Sequence, residues 1–167
     1  MTTFTKYIRS ENKRDIDREY ETQLIASKYG FAPKIYEYSV THISNKNYYE
    51  GKLVMEHLNE MCIADMYGDE SKHIPSLIWV EMRNILKILY EKEGIEYIDI
   101  TGYNCIEKKG KVYIIDFELC GLEGVDRYPS FLNHDCIIWP KGAEDAKSLR
   151  CKHDLEFAKR LMISSRH

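Results

Sequence analysis

The sequence predicts an α+β fold, and three features lead to that expectation. β-rich runs crowd the first 58 residues around one helical stretch, a three-to-four-residue apolar period occupies positions 74–92, and two short apolar runs flank a turn at "KKGK". No internal repeat, low-complexity block or proline-rich linker divides the chain, so its 167 residues are expected to form one domain, 1–167, that buries about 70% of its unfolded surface.

The elements follow in order. "TTFTKYIRS" alternates as a short strand, after which Asp15 opens a helix in which Ile16, Tyr20 and Leu24 recur at fours until Gly30 ends it. "FAPKIYEYSV" and "NYYEGKLVMEHL" are two β-rich runs around a polar turn, and residues 60–67 lead from them as a short apolar crossover. Ile74, Ile78, Met82, Ile85 and Leu89 define the longest helix, with Pro75 suited to its first turn and Gly94 to its stop. "KKGK" turns a strand over residues 104–107 back onto another over 112–116. Residues 119–150 are irregular, and "HDLEFAKRLM" closes the chain as a helix capped by Asp154.

Composition excludes several function classes. The 24 Lys and Arg residues face 27 acids, a net charge of −3, so no global basic field points to nucleic acid or an anionic membrane. No apolar run approaches the roughly 20 residues of a membrane span, and the start "MTTFTKYIRS" lacks the apolar stretch of a signal peptide. The five cysteines are odd in number and contain no C-x-x-C pair, which fits core thiols in a reducing compartment. The expectation is a soluble, intracellular, cytoplasmic protein. The 13 tyrosines are scattered over strand and helix positions, a pattern of amphipathic packing rather than of a base-stacking platform.

Two aspartates end apolar runs: Asp99 follows Tyr97 and Ile98, and Asp116 follows Tyr113, Ile114 and Ile115. Asn104 lies in the short loop after Asp99, and the hairpin brings Asp116 back toward Asn104, so two carboxylates and one amide converge. Oxygen donors of this kind suit magnesium. The bland reading of each alone is a turn cap or, for Asn104, a left-handed backbone position.

In its order D-x-x-x-x-N, hairpin, D-F, the stretch "DITGYN…IIDFE" resembles the catalytic loop and metal-binding motif of the protein kinase superfamily. The resemblance implies a reduced kinase-like fold, with a small β-rich N-lobe and hinge over 1–58 and a mainly helical, truncated C-lobe over 59–167. It implies that Asp99 orients the attacking hydroxyl and takes its proton, while Asn104 and Asp116 hold Mg²⁺ against the phosphates of ATP. It also places Lys6 at the position that neutralises the α- and β-phosphates, and Glu21 at that of its helix partner. Glu19 is the rival for Glu21, and Lys13 for Lys6. "LVMEHLN" resembles the hinge: Met55 would guard the back of the adenine pocket, and the backbone of Glu56 and Leu58 would hydrogen-bond the base. Asp154 would tie the catalytic loop from below, and "KGAED" around Glu144 resembles a degraded A-P-E motif.

Several features depart from the family pattern. No glycine-rich loop precedes Lys6, so the lid over the phosphates is expected from another molecule or nucleotide affinity is expected to be low. H-R-D reads Y-I-D, with Ile98 in place of the arginine that receives an activation-segment phosphate. Glu118 replaces the glycine of D-F-G, which makes "IDFE" similar to aminoglycoside phosphotransferases and choline kinases. The long segment 117–153 favours a protein substrate over a small molecule. The leading expectation is therefore ATP- and Mg²⁺-dependent phosphoryl transfer to a serine or threonine hydroxyl of a protein. The alternatives are a pseudokinase-type binding module that engages a partner kinase or its substrate, and a small-molecule phosphotransferase. Separately, His134, Cys136, Cys151 and His153 mirror each other as H-x-C and C-x-H; a tetrahedral zinc site is weighed there against ordinary thiols and surface histidines, which the one-residue spacing favours.

Overall fold

The computed structural model describes residues 1–68, 73–97, 102–118 and 120–122. Over these the protein is a mixed α+β structure with a small antiparallel sheet, helices and two short strand pairs. Strands β1 (Thr3–Ser10), β2 (Ile35–Ile43) and β3 (Tyr48–Glu56) form a three-stranded sheet in the order β1-β3-β2, and helix α1 (Lys13–Lys28) connects β1 to β2. Alternation along β3 buries Gly51, Leu53 and Met55, the period-2 signature of a sheet with one covered face. Antiparallel register sets Phe4 opposite Met55, Lys6 opposite Leu53 and Ile8 opposite Gly51. Directly opposed residues share a face, so Lys6 belongs to the covered side of the sheet, beneath α1.

Helix α1 opens two residues before the expected Asp15, because Asn12 caps it: the Asn12 Oδ1 accepts from the Arg14 N–H at 3.0 Å. Its buried stripe is Ile16, Glu19, Thr22, Gln23 and Ala26, whereas Tyr20 and Leu24 are only half-buried. Steps of four residues drift by about 40° each around a helix of 3.6 residues per turn, while alternating steps of three and four hold one face. Gly51 allows α1 to sit close, since a Cβ there would lie 2.3 Å from Ile16 Cγ2.

Helix α2 (Ile63–Tyr67) and helix α3 (Ser76–Glu93) follow. Pro75 is the residue before the first turn of α3 rather than part of it, and Gly94 ends the helix in a left-handed conformation, φ +65°, with its N–H on the Tyr90 carbonyl at 2.9 Å. Strand β4 (Ile95–Tyr97) pairs antiparallel with β7 (Cys120–Leu122). A 3₁₀ turn, Gly102–Asn104, leads into the hairpin of β5 (Cys105–Lys108) and β6 (Lys111–Ile114). Lys109 and Gly110 both have positive φ, +52° and +76°, as a two-residue type I′ turn requires. The ladder ends at Ile114 rather than at 116, which leaves Ile115, Asp116 and Phe117 outside it.

One apolar cluster runs from α1 to the hairpin, joining Ala26 and Ala32 to Trp79, Met82, Leu86 and Leu89 of α3, and to Tyr97, Ile114 and Phe117. Two bonds fasten the end of α1 to this body: the Ile114 N–H donates to the Phe31 carbonyl at 2.7 Å, and the Tyr29 hydroxyl donates to Glu93 Oε1 at 2.5 Å. Among the described residues, Cys105 and Cys120 are buried and Cys62 is half-buried. No described helix is long and apolar enough to cross a membrane. His134, Cys136, Cys151, His153, Glu144 and Asp154 lie outside the described residues.

Candidate functional site

Lys6 is the centre of the site. Its Nζ donates to Glu19 Oε1 at 2.5 Å and to Asp116 Oδ1 at 3.0 Å, so three segments far apart in sequence meet at one ammonium. The Lys6 side chain is 27% exposed, Glu19 1% and Asp116 38%, so the cluster grades from a buried carboxylate to one that faces solvent. Burial works against the Lys6 charge, but attraction and hydrogen bonds to Glu19 and Asp116 outweigh it and raise its pKa above the usual lysine value. Burial likewise pushes the Glu19 carboxyl up, against the opposing pull of Lys6, and Asp116 and Glu118 add to the rise. Lys6 is thus held by one carboxyl group behind it and one beside it.

The helix partner of Lys6 is Glu19, not the expected Glu21. At about 100° per residue the two acids lie about 200° apart around α1: Glu19 falls on the stripe of Ile16, Gln23 and Ala26, and Glu21 points away, where its Oε2 pairs with Arg14 Nη1 at 2.7 Å. Lys13, the rival for Lys6, forms an exposed pair with Asp17 one helical turn on, at 2.6 Å.

Asp116 adopts the left-handed backbone region at φ +63°, which Asp tolerates better than most residues but at a cost of about 1 kcal/mol. Tyr97, fully buried, lies against it: its hydroxyl is 3.0 Å from both the Ile115 and the Asp116 carbonyl oxygens, and its ring packs edge-on against Phe117. The Glu118 N–H reaches Asp116 Oδ1 at 3.4 Å. The backbone is thereby turned so that the carboxylate leaves the hairpin toward Lys6.

Asn104 is brought to the same end of the hairpin, since its carbonyl accepts from the Ile115 N–H at 2.8 Å. Asn104 and Asp116 supply oxygen donors of the hard kind that magnesium takes, and such sites commonly use one or two protein carboxylates together with substrate phosphates. Among the described residues no group of three or more His, Cys, Asp or Glu side chains gathers as a metal cage. One amide and one carboxylate cannot complete an octahedral shell, so a magnesium ion held by Asn104 and Asp116 would need further oxygens, such as those of a phosphate ligand. Asp99, the expected catalytic carboxylate, lies outside the described residues.

A cavity of about 330 Å³ opens beside Lys6 and Asp116, within the size range of small-molecule sites. Phe4 and Met55 come from the sheet, Leu58 from the chain that leaves it, and Ile106 and Ile115 from the hairpin. Met55, Glu56 and Leu58, all three singled out in the sequence, line it. The Glu56 N–H is taken by the Lys34 carbonyl at 2.8 Å, and the Leu58 carbonyl accepts from Lys108 Nζ at 2.7 Å.

Gln23 and the role of Tyr97 escape the sequence reading, which names Glu19 only as the rival of Glu21. Glu19 and Gln23 would have emerged from a three-four-three stripe anchored on Ile16 and Ala26; Tyr97 was legible only as an apolar strand residue, since the carbonyls its hydroxyl reaches are set by tertiary packing. Comparison of the chain with protein-family models and with curated proteins finds no match to either.

Proposed function

We propose that the protein binds ATP with Mg²⁺ and transfers its γ-phosphoryl group to a protein hydroxyl, as a reduced kinase-like enzyme. The observation that carries this reading is the Lys6 ammonium held between Glu19 and Asp116 at the edge of an apolar cavity of about 330 Å³. An apolar slot suits a base, and a fixed cation beside it suits the phosphates. The β-rich unit with one helix, the following chain at Leu58 and the hairpin with Asn104 and Asp116 supply the parts in the order the sequence resemblance implies.

On this reading Lys6 neutralises phosphate charge and Glu19 fixes its position. Asp116 and Asn104 would hold the cation, which supplies charge to the phosphates when bound. The acceptor oxygen bonds to the γ-phosphorus as the bond to the β–γ bridging oxygen breaks; ADP departs, and Asp99 takes the hydroxyl proton. The acceptor is assigned to a protein because of the long segment 117–153.

The test is transfer of labelled γ-phosphate from ATP to a generic protein by the full chain. Wild type is expected to label the protein, and Lys6→Met and Asp99→Ala to lose at least about 100-fold, given the typical weight of one charged or proton-accepting group. Binding of ATP without any transfer would favour a binding module; transfer that survives in Asp99→Ala would overturn the role given to that residue.

A further inference from the structure

Gln23 is a polar side chain on the otherwise inward-facing stripe of α1, 1% exposed, and it lines the cavity beside Met55 and Pro33. Its amide is held loosely. The Nε2 lies 3.4 Å from both the Met55 sulfur and the Pro33 carbonyl, a long contact in each case, and no described residue donates to its Oε1. Buried carboxamides normally satisfy both ends, and the surroundings on this wall offer sulfur, a proline carbonyl and apolar carbon. The unmet partner fits best in the cavity itself.

We infer that Gln23 is a specificity-determining residue that reads the N6/N7 edge of an adenine in this cavity. This rests on the proposed nucleotide reading. A carboxamide matches that edge atom for atom: Oε1 accepts one hydrogen of the 6-amino group while Nε2 donates to N7. The Glu56 carbonyl and the Leu58 N–H, from residues that line the same cavity, would take the other amino hydrogen and N1. The base would then be read on two edges, and a 6-oxo purine would present an acceptor to the Glu56 carbonyl.

The test compares ATP with its 7-deaza analogue, which keeps the amino group but replaces N7 by carbon, in calorimetric titrations with Mg²⁺ on wild type and Gln23→Met. Methionine has nearly the same length and no amide. Wild type is expected to bind the 7-deaza nucleotide about tenfold more weakly than ATP, as the loss of one hydrogen bond of a bidentate pair implies. In Gln23→Met the two are expected to bind alike. Wild type that binds both nucleotides equally, or a mutant that keeps the tenfold difference, overturns the inference and leaves the nucleotide reading intact. Wild type that binds neither overturns both.

Discussion

The Tyr97 hydroxyl stands 3.0 Å from the Asp116 carbonyl oxygen, and the two residues between them set the direction of the only carboxylate that reaches Lys6 from the hairpin among the described residues. Strand β4 therefore controls, through one buried hydroxyl, a backbone conformation that the chain would otherwise leave. The next residue, Phe117, packs its ring against the same tyrosine, so the turn is fixed from both its polar and its apolar side.

Removing that hydroxyl gives a first prediction. Tyr97→Phe keeps the ring packing and leaves carbonyl oxygens of residues 115 and 116 short of a donor, which is expected to cost about 1–2 kcal/mol. Urea unfolding measures the loss, and ATP affinity is expected to fall with it as Asp116 leaves its left-handed conformation.

The two acids of α1 separate in a second experiment. Lys6→Met strands a carboxylate that is 1% exposed, and is expected to destabilise by about 2–3 kcal/mol, below the full buried-pair figure because Lys6 is itself 27% exposed. Glu19→Gln is expected to lower ATP affinity about tenfold, as one charge-assisted hydrogen bond weakens. Glu21→Gln, which breaks only the surface pair with Arg14, is expected to stay within about 0.5 kcal/mol in stability and to leave affinity unchanged. A larger effect at 21 than at 19 would reverse the assignment.

Gly51 provides a third. A methyl group there would meet Ile16 Cγ2 at 2.3 Å, well inside ordinary contact, and Ile16 is fully buried. Gly51→Ala is expected to cost about 1–3 kcal/mol through overpacking, and to lift Glu19 from Lys6. The double variant Gly51→Ala, Ile16→Leu, in which leucine lacks the branching methyl on Cβ that the new group would strike, is expected to recover part of the loss, which denaturant titration would detect.

Acid stability supplies a fourth. Burial alone would raise the Asp17 pKa, but hydrogen bonds from Lys13 at 2.6 Å and from Tyr38 at 2.5 Å, with the nearby charges, hold it below the ordinary 3.8. A carboxyl whose folded pKa is depressed contributes stability that is present above its unfolded value and is lost as pH falls through the folded one. Asp17→Asn is therefore expected to be less stable than wild type at neutral pH, with the difference closing below pH 3.8. Guanidinium unfolding at the two pH values checks the sign.

Much of the fold was legible because its signals are local. The stop at Gly94, the hairpin at Lys109–Gly110 and the strand around Lys6 follow from a left-handed glycine, an I′ turn and alternation, each of which acts within a few residues. The phase of α1 was not, because Ile16, Tyr20 and Leu24 suggest one face while the sheet selects another, and Glu19 is admitted to the buried stripe only because Lys6 compensates it from a different strand. Strand β6 ends two residues short of the expected 116 for a similar reason: Ile115 reads as strand by its side chain, yet its N–H is drawn to the Asn104 carbonyl. Side chains that answer partners more than about 100 positions away, as Asp116 answers Lys6, leave no mark in a window of neighbours.

The decisive measurement is calorimetric titration of ATP into the full chain with and without Mg²⁺, on wild type and Asp116→Ala. Wild type is expected to bind, and to bind at least about tenfold more tightly with the metal, while Asp116→Ala loses the metal-dependent part. Absence of ATP binding by wild type under both conditions, or a metal effect that persists in Asp116→Ala, would contradict the assignment of Lys6, Asn104 and Asp116 to a phosphate and cation site.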